Sequence, residues 1–460
     1  MRILCIIPPQ IPSYFNAGHH LPVFSVSAYL RRIPGVEFVS CVDASALNST
    51  WKEICDLLVQ PFNVIAIMND FDGIDGLARF VSYARTLAPQ ARLITFGRTS
   101  KQVPGFFERY GLDAIGCAGD YEAIVGDYVR FLMEEGASPP AGIALRQEGG
   151  YSTPPAGRFL PVEEWVLPEV EEIPYDAYDR MYRNDLNKFC GIPDRRELVV
   201  PLARGCPINC AYCDVPKMQG LRERRLPVEQ VVDYIEQAFA RHPFAYVSFY
   251  APTFTLDKKW VARLCDALIA TGHIRPWKCV TTLAYLNEPL IAAMARSGCI
   301  RISVGIETFS VEAASSLPKL KRDSRSEFDE IAQLCLRYGV ELNCFVILGL
   351  PGDSLEGSKA TIDHVIRSRA RVRPTLYTPY HLMRPDMTEE EISGFNRQLF
   401  TPGVCSAEQA TEYYRLLFAN AADRPTQVME KIPLRGPRAQ GASPLPEAAA
   451  AGSVTKPIEA

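Results

Sequence analysis

The run Ala203-Arg-Gly-Cys-Pro-Ile-Asn-Cys-Ala-Tyr-Cys213 follows directly on the apolar stretch Leu198–Leu202. A strand ending in a loop that carries Cys206, Cys210 and Cys213 spaces three thiols as C-x3-C-x2-C. Three closely spaced thiolates can hold three irons of a [4Fe–4S] cluster and leave the fourth iron open to a substrate-like ligand. A closed four-Cys electron-transfer site cannot do that. A structural zinc site is the alternative reading. Zinc needs a fourth ligand, which Cys279, Cys299 or His273 would have to bring from a distance. Such sites usually pair two ligand clusters, and the sequence holds no second pair. Plain buried cysteines are the third reading.

Outward from this loop the chain repeats a β/α pattern. Strands are predicted at Leu198–Leu202, Ala245–Tyr250, Trp277–Thr282, Arg301–Val304, Leu342–Leu348 and Thr375–Pro379. Helices are predicted between them at Val228–Ala240, Lys258–Ala270, Pro289–Ser297, Ser324–Tyr338 and Leu355–Arg367. Six such units make a partial (β/α)6 barrel over 196–385, whose reactive end lies at the strand C-termini. The Cys loop follows the first of those strands.

Upstream, 1–135 alternates apolar runs (Arg2–Ile7, Glu37–Val42, Asn63–Met68, Arg92–Gly97, Asp113–Cys117) with helical patterns at Pro22–Arg32, Ser49–Val59, Asp75–Leu87, Pro104–Tyr110 and Asp120–Glu134. Continuous rather than alternating apolar strands predict a doubly wound parallel sheet covered on both faces. The fold class is therefore α/β, two units in series. The stretch 136–195 is rich in Pro, Gly and acidic residues and reads as a connector that wraps rather than a core. Short helices are expected over 386–433. The Pro- and Ala-rich 434–460 reads as a disordered tail.

Composition narrows the function classes. The formal net charge of −4 over 460 residues gives no bulk attraction for nucleic acid. The one dense basic run, Arg222-Glu-Arg-Arg225, reads as a solvated face. The 14 cysteines are scattered and come without an export signal, so disulfides are not expected. No apolar run approaches the ~20 residues of a membrane span. The expectation is a soluble cytoplasmic protein.

The Cys loop, with Tyr212 before its last Cys, resembles the radical S-adenosylmethionine (SAM) superfamily. In that family the open iron chelates SAM, and one electron cleaves it to methionine and a 5′-deoxyadenosyl radical. Further segments carry the resemblance. Phe345-Val-Ile-Leu-Gly-Leu-Pro-Gly352 is similar to the fifth-strand stretch against the adenine, which implies contacts from Leu348 and Gly349. Ile302-Ser-Val-Gly-Ile-Glu-Thr308 resembles the fourth-strand element and implies Ser303 and Glu307 at the ribose or amino group. Ser248-Phe-Tyr-Ala-Pro-Thr-Phe-Thr255 resembles the segment binding the methionine part, which implies Tyr250 and Thr253. Leu376-Tyr-Thr-Pro-Tyr380 resembles the sixth-strand end. The chain departs from many relatives at Ala251-Pro252, where acidic residues are common, and at Thr282, where Arg is common. Taken singly, Gly349 and Gly352 read as turn glycines, Glu307 as a paired carboxylate and Tyr212 as core packing.

Ile3-Leu-Cys-Ile-Ile-Pro-Pro9, the Pro22–Arg32 helix, Phe96-Gly97 and Gly119-Asp-Tyr-Glu122 resemble the cobalamin-binding domain of one radical SAM subfamily. This implies a cofactor edge at Asn69, Gly97 and Gly119. There is no D-x-H-x-x-G stretch to replace the lower base of cobalamin, and Arg98 stands where a second Gly is common. His19 and His20, expected before the first helix, read as pocket or capping residues.

The resemblance implies a [4Fe–4S] cluster, SAM, a small-molecule substrate and a flavodoxin- or ferredoxin-type electron donor. It leaves two reactions open. One is cobalamin-dependent C-methylation of an unactivated carbon in a small secondary metabolite, in the setting of antibiotic biosynthesis. The other is radical dehydration of an aminosugar with a partner reductase, similar to the radical SAM dehydratase of the apramycin pathway. The acidic stretch Asn69-Asp-Phe-Asp72 would suit such a polycation, or be a solvated loop. A non-catalytic metal scaffold is the reading from another class. Strand-end position alone makes Glu307, Tyr250 and Tyr380 the acid–base candidates.

Overall fold

The first seven strands of the chain form one sheet in the order β2-β1-β3-β4-β5-β6-β7. In the computed structural model, which describes residues 1–10, 17–134, 136–184, 195–322, 324–395, 406–421 and 431, these are β1 (Arg2–Ile7), β2 (Phe38–Asp43), β3 (Val64–Asn69), β4 (Arg92–Gly97), β5 (Ala114–Gly116), β6 (Ile143–Gln147) and β7 (Gly150–Tyr151). β1 to β5 are parallel, with Ile6 opposite Ile67 and Met68 opposite Phe96. The apolar runs bury both faces. Ile3, Cys5 and Ile7 point into one core, with Leu4 and Ile6 in the other. That is the period-two split of a strand sandwiched by helices.

Three expectations need correction here. The connector is not merely a wrap. β6 pairs antiparallel with β5 (Ile115 opposite Ala144), and Trp165, Tyr175, Tyr178 and Tyr182 are buried in the main core. Its Pro and acidic residues mask aromatic anchors too widely spaced to register as a period. The segment Pro104–Tyr110 is a 3-10 helix. The first helix runs Ala17–Leu30, with Pro22 inside it, so His19 and His20 lie in its first turns rather than before it.

His20 is built into a buried array. Its Nδ1 lies 2.6 Å from Asp43 Oδ2, to which the Tyr178 hydroxyl also donates at 3.0 Å. Asp43 Oδ1 accepts from the Ala46 amide and caps the short helix Ala44–Leu47. Burial pulls the imidazole pKa down, but the Asp43 charge and hydrogen bond, with Asp70 and Asp72 beyond, outweigh it and raise the pKa. A raised folded pKa contributes stability that is fully present below the unfolded value of about 6.5 and is lost as pH rises through the folded value. His20→Asn is therefore expected to cost about 3 kcal/mol at pH 6. The gap to wild type should narrow toward pH 9 in urea titrations, and a gap that widens with pH would refute the ion pair.

The second sheet holds six parallel strands in sequence order: Glu197–Pro201, Tyr246–Tyr250, Trp277–Thr281, Cys299–Glu307, Glu341–Leu348 and Arg371–Leu376. Helices Val228–Arg241, Lys258–Ala270, Glu288–Arg296, Arg325–Arg337 and Leu355–Arg367 connect successive strands. The sixth strand starts four residues before the predicted Thr375, because Arg371 and Arg373 hide its pattern. These arginines alternate with buried Val372 and Pro374, a period-two strand with its charges on one face.

The two units touch closely. A Cβ on Gly18 would meet the Tyr250 ring at 2.5 Å, so glycine sets the approach of the first helix to the second barrel strand. Helix Glu389–Gly394 returns to the first unit, where Met387, Ile392 and Phe395 join its outer core. The predicted tail 434–460 lies outside the described residues. Among those described, no helix is long and apolar enough to cross a membrane.

Candidate active site

The Cys loop leaves the first barrel strand and is braced from three sides. Its backbone closes through Cys206 N to Gly220 O at 3.1 Å and Cys213 N to Cys210 O at 3.0 Å. Gly205 at φ +86° is crowded by the Arg222 carbonyl, 2.2 Å from any added Cβ, so only glycine serves there. Arg204 forks onto Glu122 at 2.9 and 2.6 Å, fixing the loop to the first unit. Cys206 and Cys210 are buried and Cys213 half-buried. Burial pushes the Cys210 thiol pKa up and that of Cys213 to about 12. A bound metal ion would offset that cost, because a coordinating thiol is deprotonated.

Tyr212 is not mere packing. Its hydroxyl donates to Glu307 Oε1 at 2.8 Å, and Lys321 Nζ lies 2.9 Å from the same oxygen. Lys321 also donates to the Gly305 carbonyl at 2.9 Å. Glu307 sits at φ +60°, where the pairing with the next strand shifts register. A non-glycine residue held there stores strain, which clusters at functional sites. Beside Tyr212, Ala313, Leu317, Ile347, Leu350 and Tyr377 form a small apolar floor. Leu348 is buried, and its carbonyl accepts from Tyr377 N. Gly349 turns the chain at φ +76°. Thr253 is within hydrogen-bond reach of the Cys206 sulfur at 3.7 Å. Thr282 is buried after the third strand, and Ser303 accepts from Asn343 Nδ2 at 3.1 Å.

The residues proposed for the first unit are engaged within the chain. Asn69 donates to Thr95 Oγ1 at 2.8 Å and accepts from Ser100 N at 3.0 Å. A Cβ on Gly97 would lie 1.9 Å from the Asn69 carbonyl, and one on Gly119 would lie 2.6 Å from that of Arg158. Tyr380 stacks on Phe71, centroids 6.0 Å apart, and its hydroxyl accepts from Arg98. Arg98 also binds Asp214, the residue after Cys213, and so joins the first sheet to the Cys loop. Sequence reasoning noted Arg98 only as a departure and missed Lys321, which reads as one basic residue in a surface run. Of the alternative zinc ligands, Cys279 and Cys299 are buried free thiols in paired strands, Cys299 Sγ lying 3.5 Å from the Arg301 carbonyl, and His273 lies 3.6 Å from Glu236. Among the described residues no three His, Cys, Asp or Glu side chains form a cage for one metal ion.

Two cavities flank this end of the barrel. One, about 80 Å³, lies between the units and is lined by Gly18, Lys101, Tyr121, Arg204, Met218 and Tyr250. Lys101 is buried there, donating to the Met218 carbonyl at 2.9 Å, and burial lowers its pKa to about 7. The other, about 230 Å³, occupies the barrel interior, and Tyr250 borders both.

Residues 200–365 match the Radical SAM superfamily, so this part of the chain is a radical SAM domain, the class that works with a [4Fe–4S] cluster and SAM. The two-unit fold is that of solved cobalamin-dependent radical SAM enzymes. It superposes on the radical SAM methyltransferase TsrM of Kitasatospora setae with a TM-score of 0.67 at 17% identity, covering 82% of this chain and 72% of that one. It matches the cobalamin-dependent enzyme OxsB with a TM-score of 0.64 at 17% identity, covering 86% and 55%. An uncharacterised methyltransferase of Pyrococcus horikoshii is 27% identical over 197 residues, 43% of this chain and 42% of that protein. The bacteriochlorophyllide d C-12(1)-methyltransferase of Chlorobaculum tepidum is 22% identical over 182 residues, 38% and 39%. The chain thus spans less than half the length of these curated relatives.

Proposed function

We propose that the protein is a radical SAM enzyme that C-methylates an unactivated carbon of a small secondary metabolite. The observation that carries the radical step is the Cys206–Cys210–Cys213 loop at the C-terminal end of the first barrel strand, three thiols with one coordination position left over. A [4Fe–4S] cluster held there would supply the electron that breaks the S–C5′ bond of SAM, leaving a 5′-deoxyadenosyl radical to take hydrogen from the substrate. The chain's own residues prepare that site. Tyr212 and Lys321 hold the Glu307 carboxylate in place at the strand end, where it can accept hydrogen bonds from the SAM ribose or amino group. The apolar floor around Ile347, Leu350 and Tyr377, with the glycine turn at Gly349, suits a flat ring. Burial excludes water from a carbon radical. Methyl transfer is supported by the methyltransferase relatives and by the shared fold.

Cobalamin is named for the two solved neighbours. The residues of this chain do not fit a corrin in the arrangement described. The cavity that the described residues leave between the units is about 80 Å³, against several hundred for an ordinary ligand pocket. Glycines 97 and 119 leave no cradle, because the chain's own backbone fills it. The small cavity weighs against cobalamin alone, and the second reading is then radical dehydration by the same cluster, completed by a partner reductase. Desalting after incubation with hydroxocobalamin separates the two. Stoichiometric retention is expected if methylation runs through that cofactor. No retention, with SAM cleavage intact, moves the assignment to dehydration.

A further inference from the structure

The barrel interior is charged where such interiors are ordinarily packed with branched apolar side chains. Strand register sets Ser248 beside Lys278, Lys278 beside Arg301 and Arg301 beside Glu341, with Ser303 beside Asn343 one layer nearer the Cys loop. The cavity of about 230 Å³ is lined by Lys278, Arg301 and Arg373 against one carboxylate, Glu197. Lys278 and Arg301 each face a carboxylate. Lys278 lies 2.7 Å from Glu197, and burial of that carboxyl is outweighed by the lysine, which holds its pKa below the usual range. Arg301 gives its Nε to Glu341 at 2.5 Å. Its Nη2 has no hydrogen-bond partner, although the residue is only 5% exposed. A buried guanidinium N–H without an acceptor costs free energy that packing does not return. The cavity is thus lined by three cationic side chains, and Arg301 brings to it a buried donor without an acceptor.

We propose that this interior binds an oxyanion of the substrate, a carboxylate or a phosphate, with Arg301 as the principal donor and Asn343 and Ser303 as neutral partners. The inference rests on the radical SAM reading and names the substrate class for it: an acidic small molecule rather than a polycationic aminosugar. Arg301 stands six residues before Glu307 on one strand, roughly 20 Å at strand rise. A SAM molecule anchored at the Cys loop does not bring its own carboxylate that deep. An acidic group held at Arg301 leaves the rest of the substrate pointing up toward the Cys loop.

The test uses the full chain, reconstituted with iron and sulfide and saturated with SAM, titrated calorimetrically without oxygen. The probes are succinate, inorganic phosphate and 1,4-diaminobutane. Succinate or phosphate is expected to bind, which of the two naming the oxyanion, and diaminobutane is not. In the paired variant Arg301→Gln/Glu341→Gln, which leaves no lone buried carboxylate, anion affinity should fall about tenfold or more while the iron–sulfur absorbance stays. If that variant does not fold, Arg301→Lys, which keeps the charge and loses the fork, should weaken the same binding. Binding of diaminobutane, no binding of either anion, competition between anion and SAM, or unchanged affinity in the variants would each overturn the proposal. Wild-type protein that binds the anion and never cleaves SAM counts against the radical SAM reading instead.

Discussion

Alanine at Cys206, Cys210 or Cys213 is expected to abolish the iron–sulfur absorbance near ~400 nm and all SAM cleavage, each substitution alone being sufficient. The reason is stoichiometric: three thiolates hold three irons, and two do not retain a cluster whose fourth iron must stay open. The loss is not a folding effect. Cys206 and Cys210 belong to no core cluster among the described residues, and the loop keeps its brace of Arg204 on Glu122 and its turns at Gly205 and Gly220. Circular dichroism and thermal midpoint should therefore match apo wild type. By contrast, Cys279→Ala and Cys299→Ala should leave the absorbance in place, since those free thiols are buried in the third and fourth barrel strands and are not part of the loop. Retained cleavage in any one triplet variant would refute the ligand set.

Lys321→Met is the second large effect. Lys321 and Glu307 are 6% and 5% exposed and pair at 2.9 Å. Removing the cation strands a buried carboxylate, and breaking such a pair costs about 3–5 kcal/mol. Denaturant titration of apo protein should show that loss, and the double variant Lys321→Met/Glu307→Gln should recover most of it by removing the uncompensated charge. Glu307→Gln alone separates structure from function. It keeps the shape and the Tyr212 hydrogen bond, so stability should change less than in Lys321→Met. If Glu307 orients SAM, KM for SAM rises while the absorbance of the loaded protein is unchanged. A stability loss below about 1 kcal/mol in Lys321→Met would show that the pair is not buried as described.

How much of this was legible in the residues follows from the kind of signal each part leaves. The Cys triplet is local, and its spacing carries its chemistry. β1, β3 and β4 are continuous apolar runs, and a strand buried on both faces has no other way to be written. Glu307 was reachable because it closes an apolar strand. Its partner was not: Lys321 lies fourteen positions on in a basic loop, and nothing local marks the one lysine that turns inward. Arg98 was visible as an oddity after Gly97, yet its bonds to Asp214 and Tyr380 span 116 and 282 positions. The barrel's inner charges were hidden for the opposite reason. Arg371 and Arg373 broke the expected apolar run and pushed the predicted strand toward Pro379, because a polar lumen reverses the rule that inward residues are apolar. The connector failed likewise, since tertiary contacts of Trp165 and Tyr178, not periodicity, place it in the core.

The most direct test of the central claim is the wild-type chain itself, purified without oxygen, rebuilt with iron and sulfide, and incubated with SAM and dithionite. The radical SAM assignment predicts about four irons per chain and 5′-deoxyadenosine formed in step with methionine. Zinc held by the triplet, or a loaded iron site that yields no 5′-deoxyadenosine, would contradict it.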